Sequence, residues 1–171
     1  MAAEEKMDAI ALLKADHRKV EDLFEQFESA RGDGRKEKLA RQICLELTIH
    51  TEIEETIFYP ACRGKVEDDL VDEAIVEHDS AKVLIAEIEA GGPDEDFYDA
   101  KVQVLSELIE HHVEEEEKRV EGMFSQARKA GLDMDALGAE MAARKAELMA
   151  EYKETGLPTP EASALKRTSL G

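Results

Sequence analysis

Apolar residues recur along this chain in alternating steps of three and four, the spacing of helices that bury one face. The first run reads Ile10, Leu13, His17, Val20, Phe24, Phe27. The second reads Ala40, Ile43, Leu47, His50, Glu54, Ile57, Ala61, and the third Val71, Ala74, His78, Ala81, Ile85, Ile88. The fourth reads Val102, Leu105, Ile109, His112, Glu116, Val120, Met123. Turn formers separate the runs at Gly32-Asp33-Gly34, Gly64, Gly91-Gly92-Pro93 and Gly131. The pattern predicts helices near 7–30, 35–62, 67–90 and 95–130, with Asp133 capping a fifth that runs to about 154. Gly156-Leu157-Pro158-Thr159-Pro160 stops regular structure and leaves 161–171 as a loose tail. Short connections favour antiparallel neighbours. The expected fold is therefore all-α: an up-down-up-down antiparallel four-helix bundle over residues 1–130, with an additional C-terminal helix and flexible tail over 131–171.

The polar residues on those stripes change the picture. Of five histidines, His17, His50, His78 and His112 fall one per helix on the face that should be buried. Two are followed one turn later by a glutamate, His50 by Glu54 and His112 by Glu116, so imidazole and carboxylate share a face. A glutamate on a buried stripe is costly unless it is paired or bound to metal. Counted from the turns near residues 32, 64 and 93, the four histidines fall within about a turn or two of one layer of an antiparallel bundle. The unit also repeats: His17 to His50 spans 33 residues and His78 to His112 spans 34. Four imidazoles and two carboxylates aimed into a bundle make a first shell for a pair of metal ions, and that donor set suits iron, manganese or zinc. On helix 4 the face of His111 and Glu115 carries two lysines and a glycine, so His112 and Glu116 are the favoured inward pair and His111 and Glu115 the alternative. Tyr59 and Tyr98 read as amphipathic packing residues, with redox or hydrogen-bonding groups near the site as the alternative.

Composition narrows the partners. Forty-one acidic against 22 basic residues leave a net charge of −19, which repels nucleic acid and anionic membranes. No apolar run reaches the length of a signal or a membrane span. Cys44 and Cys62 lie on one predicted helix, about 27 Å apart at about 1.5 Å per residue, and read as reduced thiols of a cytoplasmic protein.

The chain resembles the hemerythrin HHE cation-binding family over roughly residues 8–125. The matching pieces are Asp16-His17, His50-x-x-x-Glu54 with Phe58-Tyr59-Pro60, Glu77-His78-Asp79, and His111-His112-Val113-Glu114-Glu115-Glu116-Glu117. The resemblance implies a four-helix bundle around a non-haem di-iron centre, carboxylate-bridged and oxo- or hydroxo-bridged, with manganese or zinc as lesser alternatives. Carried over position by position, its metal ligands are His17, His50, Glu54, His78, His112 and Glu116. Oxygen-carrying relatives look as if they use a fifth histidine a turn from the third-helix one; here those positions are Ala74 and Lys82, which implies a more open site. The usual proline after the fourth-helix motif is Gly122, so that helix is expected to run on. The expected function is binding of, or reaction with, dioxygen, peroxide or nitric oxide. The alternatives are iron sensing, buffering or storage without turnover, and a metal-free helical interaction protein.

Overall fold

The structure, a computed structural model, describes residues 6–166. In chain order the helices are α1 (Ala9–Ser29), α2 (Asp33–Ile53), which continues through a π-helical turn (Glu54–Phe58) into α3 (Tyr59–Cys62), then α4 (Asp68–Ala90), α5 (Tyr98–Glu117), α6 (Met123–Lys129) and α7 (Met134–Thr155). Helices α1, α2, α4 and α5 pack in a closed ring of antiparallel neighbours, the expected up-down-up-down bundle. Helix α7 lies across α1 and α2, and α6 rests on α5. Asp8 starts α1 by accepting the Ala11 N–H at 2.8 Å, and Asp133 starts α7 by accepting the Ala136 N–H at 3.0 Å. Gly138 lets α7 close on the beginning of α1, because a Cβ there would stand 2.4 Å from the Met7 carbonyl oxygen. Among the described residues no helix is long and apolar enough to cross a membrane.

Two apolar zones fill the bundle. One holds Val20, Phe24, Ile43, Leu47, Ile85, Leu105 and Ile109. The other holds Ile10, Leu13, Ile53, Phe58, Val71 and Phe124, and draws in Met141, Leu148 and Tyr152 from α7. Between them lies a layer of buried polar side chains.

Three departures from the periodic reading have local causes. Helix α5 ends at Glu117 instead of near residue 130. Residues 118–122 form a turn in which Glu121 has φ 64°, and a Cβ at Gly122 would lie 2.3 Å from the Lys118 carbonyl oxygen. Val120, expected on the stripe, is thus exposed, while α6 returns Met123 and Phe124 to the core. Gly122→Ala should cost about 1–3 kcal/mol through this backbone collision, read as a lower denaturation midpoint with an unchanged m-value.

The second departure is the π turn. Tyr59 donates its N–H to the Glu54 carbonyl five residues back, so one extra residue enters the turn. Beyond it the buried positions are Phe58, Tyr59 and Cys62, and the expected Ile57 and Ala61 are only half-buried. The third concerns the segment after α7. Leu157 packs on both apolar zones, and the amides of Ser163, Ala164 and Leu165 donate to Asp79. Residues 161–166 of the expected tail are therefore anchored; 167–171 lie outside the described residues.

Candidate metal centre

Each bundle helix delivers one imidazole to the polar layer: His17 from α1, His50 from α2, His78 from α4 and His112 from α5, all buried. Glu54 and Glu116, at the ends of α2 and α5, enter the same space and are 0% and 1% exposed. The four Nε2 atoms point inward. Glu54 Oε1 lies 2.6 Å from His50 Nε2, 3.5 Å from His78 Nε2 and 3.9 Å from His112 Nε2. Glu116 Oε1 lies 2.7 Å from His112 Nε2 and 3.6 Å from His17 Nε2. Two donor groups result, His17–His50–Glu54–Glu116 and Glu54–His78–His112, each with ligand atoms within 4.8 Å of one another and with Glu54 common to both. All six residues selected from the stripes thus converge. His111 does not: it is 61% exposed and lies 3.6 Å from Glu77. Glu115 is half-buried near the surface.

The outward Nδ1 atoms are held in a closed ring that the stripes did not reveal. Asp16, beside His17 on α1, accepts from His50 of α2 at 3.1 Å. Glu55, beside Glu54 in the π turn that continues α2, accepts from His78 of α4 at 3.0 Å. Glu77, beside His78 on α4, accepts from His112 of α5 at 3.3 Å. Glu117, beside Glu116 on α5, accepts from His17 of α1 at 2.8 Å, and the ring is complete. Three of these carboxylates meet a cation on their far side: Asp16 meets Lys145 of α7, Glu55 meets Lys82 at 2.9 Å, and Glu117 meets Arg18. Such carboxylates fix each imidazole as the tautomer with a free inward Nε2 and raise its basicity as a ligand. The available signal was an acid adjacent to His17, Glu54, His78 and Glu116 in sequence, which a chain with 41 acids hides well. Lys82, one turn after His78, supports this ring through Glu55.

Tyr59 takes the less favoured of its two readings, a hydrogen-bonding group at the site. Its hydroxyl lies 3.2 Å from His78 Nε2, 3.3 Å from His112 Nε2 and 3.4 Å from Glu116 Oε2. The π turn brings it onto the Glu54 face; straight helical counting puts it elsewhere. Tyr98 packs against Phe27 in the far apolar zone, as a packing residue should.

The electrostatics follow from burial. Burial disfavours a charged His50, but Glu54 and Asp16 outweigh it and push its pKa up to about 10. His112 is likewise driven up despite burial, by Glu116 first. Burial raises the Glu54 carboxyl, and the surrounding histidines, His50 first, bring it well below its ordinary range. Even so, His17 Nε2, His50 Nε2, both Glu54 oxygens and Glu116 Oε1 make no aligned hydrogen bond, although all are buried. Buried polar atoms left so are expensive. Neutral imidazole nitrogens and carboxylate oxygens converging on one space are the donor set of a borderline divalent cation, so the residues fit a metal.

Beside the donors is a cavity of about 10 Å³, bounded by His17, His50, His78 and His112 and by Val20, Leu47, Ile109 and Val113. It admits one water-sized molecule and no organic substrate. Cys62 is buried nearby, and burial, reinforced by Glu116 and Glu54, pushes its thiol up to about 12. Cys44 is buried too, with its thiol raised chiefly by burial. Neither should react with iodoacetamide at pH 8 in the folded protein, and both should react after denaturation, as intact-mass measurement would show.

Residues 8–124 match the family described as Hemerythrin HHE cation binding domain, and the chain belongs to that family. The crystal structure of a hemerythrin HHE cation-binding domain-containing protein from Mycobacterium kansasii superposes with a TM-score of 0.73 at 22% identity, over 88% of this chain and 95% of that one, which establishes the shared fold. A DNA nickase of Nostoc sp. (strain PCC 7120 / SAG 25.82 / UTEX 2576) is 28% identical over 106 residues; the match takes in 62% of this chain but only 30% of the nickase.

Proposed function

We propose that His17, His50, Glu54, His78, His112 and Glu116 hold two iron ions and that the centre binds or reacts with dioxygen, peroxide or nitric oxide. The observation that carries this reading is the convergence of buried imidazole and carboxylate donor atoms from four helices, with Glu54 common to both groups and with His17 Nε2, His50 Nε2, both Glu54 oxygens and Glu116 Oε1 making no aligned hydrogen bond. Paired iron would supply redox change and open coordination positions for a diatomic or peroxide ligand. The chain supplies the rest. Val20, Leu47, Ile109 and Val113 wall a space of about 10 Å³ that excludes bulk water and larger molecules. The Tyr59 hydroxyl stands at the donors as a hydrogen-bond donor, and the ring of Asp16, Glu55, Glu77 and Glu117 holds the imidazoles in position. The metal-binding unit is assigned to residues 1–130 and the C-terminal helix and tail to 131–171, a division supported by the packing of α7 on the outside of α1 and α2. Two buried thiols suit a reducing compartment such as the cytoplasm.

A second reading, iron buffering or sensing without turnover, is favoured by the tight seal around the donors and the lack of room for a substrate. DNA cleavage is not adopted from the nickase, because the shared part is a minority of that protein and a net charge of −19 opposes DNA binding. Stopped-flow mixing of ferrous-loaded protein with dissolved dioxygen, peroxide or nitric oxide separates the readings. A reversible spectral adduct or consumption of the oxidant supports the first. Stable ferrous protein that responds to none supports buffering.

A further inference from the structure

The segment that follows α7 makes contacts no helix requires. Asp79, immediately after His78, is fully buried, and its carboxylate accepts three successive backbone N–H groups: Ser163 at 2.8 Å, Ala164 at 2.7 Å and Leu165 at 2.8 Å. The Ser163 hydroxyl donates to Glu55 Oε2 at 2.9 Å. Lys82 donates to Glu55 at 2.9 Å and to the Glu161 carbonyl at 3.1 Å. Glu55 is the carboxylate that holds His78 Nδ1. One imidazole of four is thus tied, through a shared carboxylate and the aspartate next to it, to a strap arriving from the far end of the described chain. By contrast, the carboxylates of His50 and His17 are braced by side chains on helices, Lys145 and Arg18.

We propose that residues 157–165 are a positioning strap for His78, so that docking of the strap and metal binding at the His78 group favour each other. This rests on the metal reading above for its second half only. A three-N–H cradle around a buried anion forms as a unit and is lost as a unit. When it is lost, Asp79 and Glu55 become solvated, Lys82 follows them, and His78 loses the fixed partner on its Nδ1. Coupling is reciprocal, so metal at His78 must tighten the strap by the same factor as the strap tightens metal.

The test uses the full chain, a chain ending after Pro160, a control ending after Lys166, and Ala164→Pro, which deletes one cradle donor while keeping the length. In chelator-treated protein, side-chain nitrogen NMR of the imidazoles should show the His78 signals moved in the Pro160 truncation and in Ala164→Pro, with those of His17 unmoved and the control like wild type. In protein loaded with ferrous ion alone, the same two variants should release iron to a chelator about tenfold faster, the scale of losing an outer-shell partner. Amide exchange at residues 163–165 should slow on loading. Unmoved His78 signals in both variants overturn the strap's role whatever the metal does. Unchanged iron release, or exchange indifferent to loading, overturns the linkage. Failure of the full chain to take up iron would instead sink the metal assignment, and the NMR comparison would still decide the strap.

Discussion

His50→Ala is expected to empty the centre and to lower stability by about 3–5 kcal/mol, the scale of breaking a buried charged pair. His50 is the closest partner of Glu54, at 2.6 Å, and carries Asp16 on its other nitrogen at 3.1 Å. Its loss leaves the fully buried Glu54 with His78 and His112 at 3.5 and 3.9 Å only. Because Glu54 belongs to both donor groups, both are damaged at once. The variant should hold no stoichiometric iron, and its melting temperature should not respond to added iron. Metal content and melting curves with and without chelator check this. Wild-type iron content in His50→Ala would show that the donors lie elsewhere.

The second large effect is the pH dependence of metal stabilisation. In stripped protein, His50 has its pKa raised from 6.5 to about 10, so it contributes stability that is complete below about 6.5 and is lost as pH rises through about 10. Glu54 is shifted the other way: its contribution is present above its ordinary value of 4.5 and disappears only as pH falls through its depressed value. Stripped protein should therefore be most stable between these ordinary values and should weaken towards pH 9. Iron binding runs against this trend, because each ligating imidazole must be free of its inward proton. The increment that iron adds to the melting temperature should grow from pH 6 to pH 9, and loading at pH 7 should release protons into weakly buffered solution. An increment that shrinks with pH would mean that protons do not compete with metal at these nitrogens.

Much of the architecture was legible because helical periodicity is a strong signal. Every stripe position from Ile10 to Phe27 is buried, as is every one from Val71 to Ile88. The choice of His112 over His111 followed from the same geometry. Two features that escaped the pattern share one cause, local breaks in the 3.6-residue period. The π turn after Glu54 advances the helix by one residue and moves Tyr59 into the site, and nothing in Thr56-Ile57-Phe58 announces it. The break after Glu117 depends on Gly122 and on the left-handed Glu121, where a glycine in place of proline suggested continuation. The ring of Asp16, Glu55, Glu77 and Glu117 was hidden differently. Each acid sits one residue from a stripe position, where a solvated face is expected, and each reaches a histidine on the next helix of the bundle. The strap on Asp79 uses backbone donors, which no side-chain pattern records.

The most direct test of the whole account is iron content with an ultraviolet–visible spectrum, on protein purified without chelator and compared with His50→Ala. About two irons per chain are expected, from two donor groups of the kind paired metals require, with ferric charge-transfer absorption that is missing in the variant. A wild-type chain with no stoichiometric metal and an unchanged melting curve in chelator would contradict it.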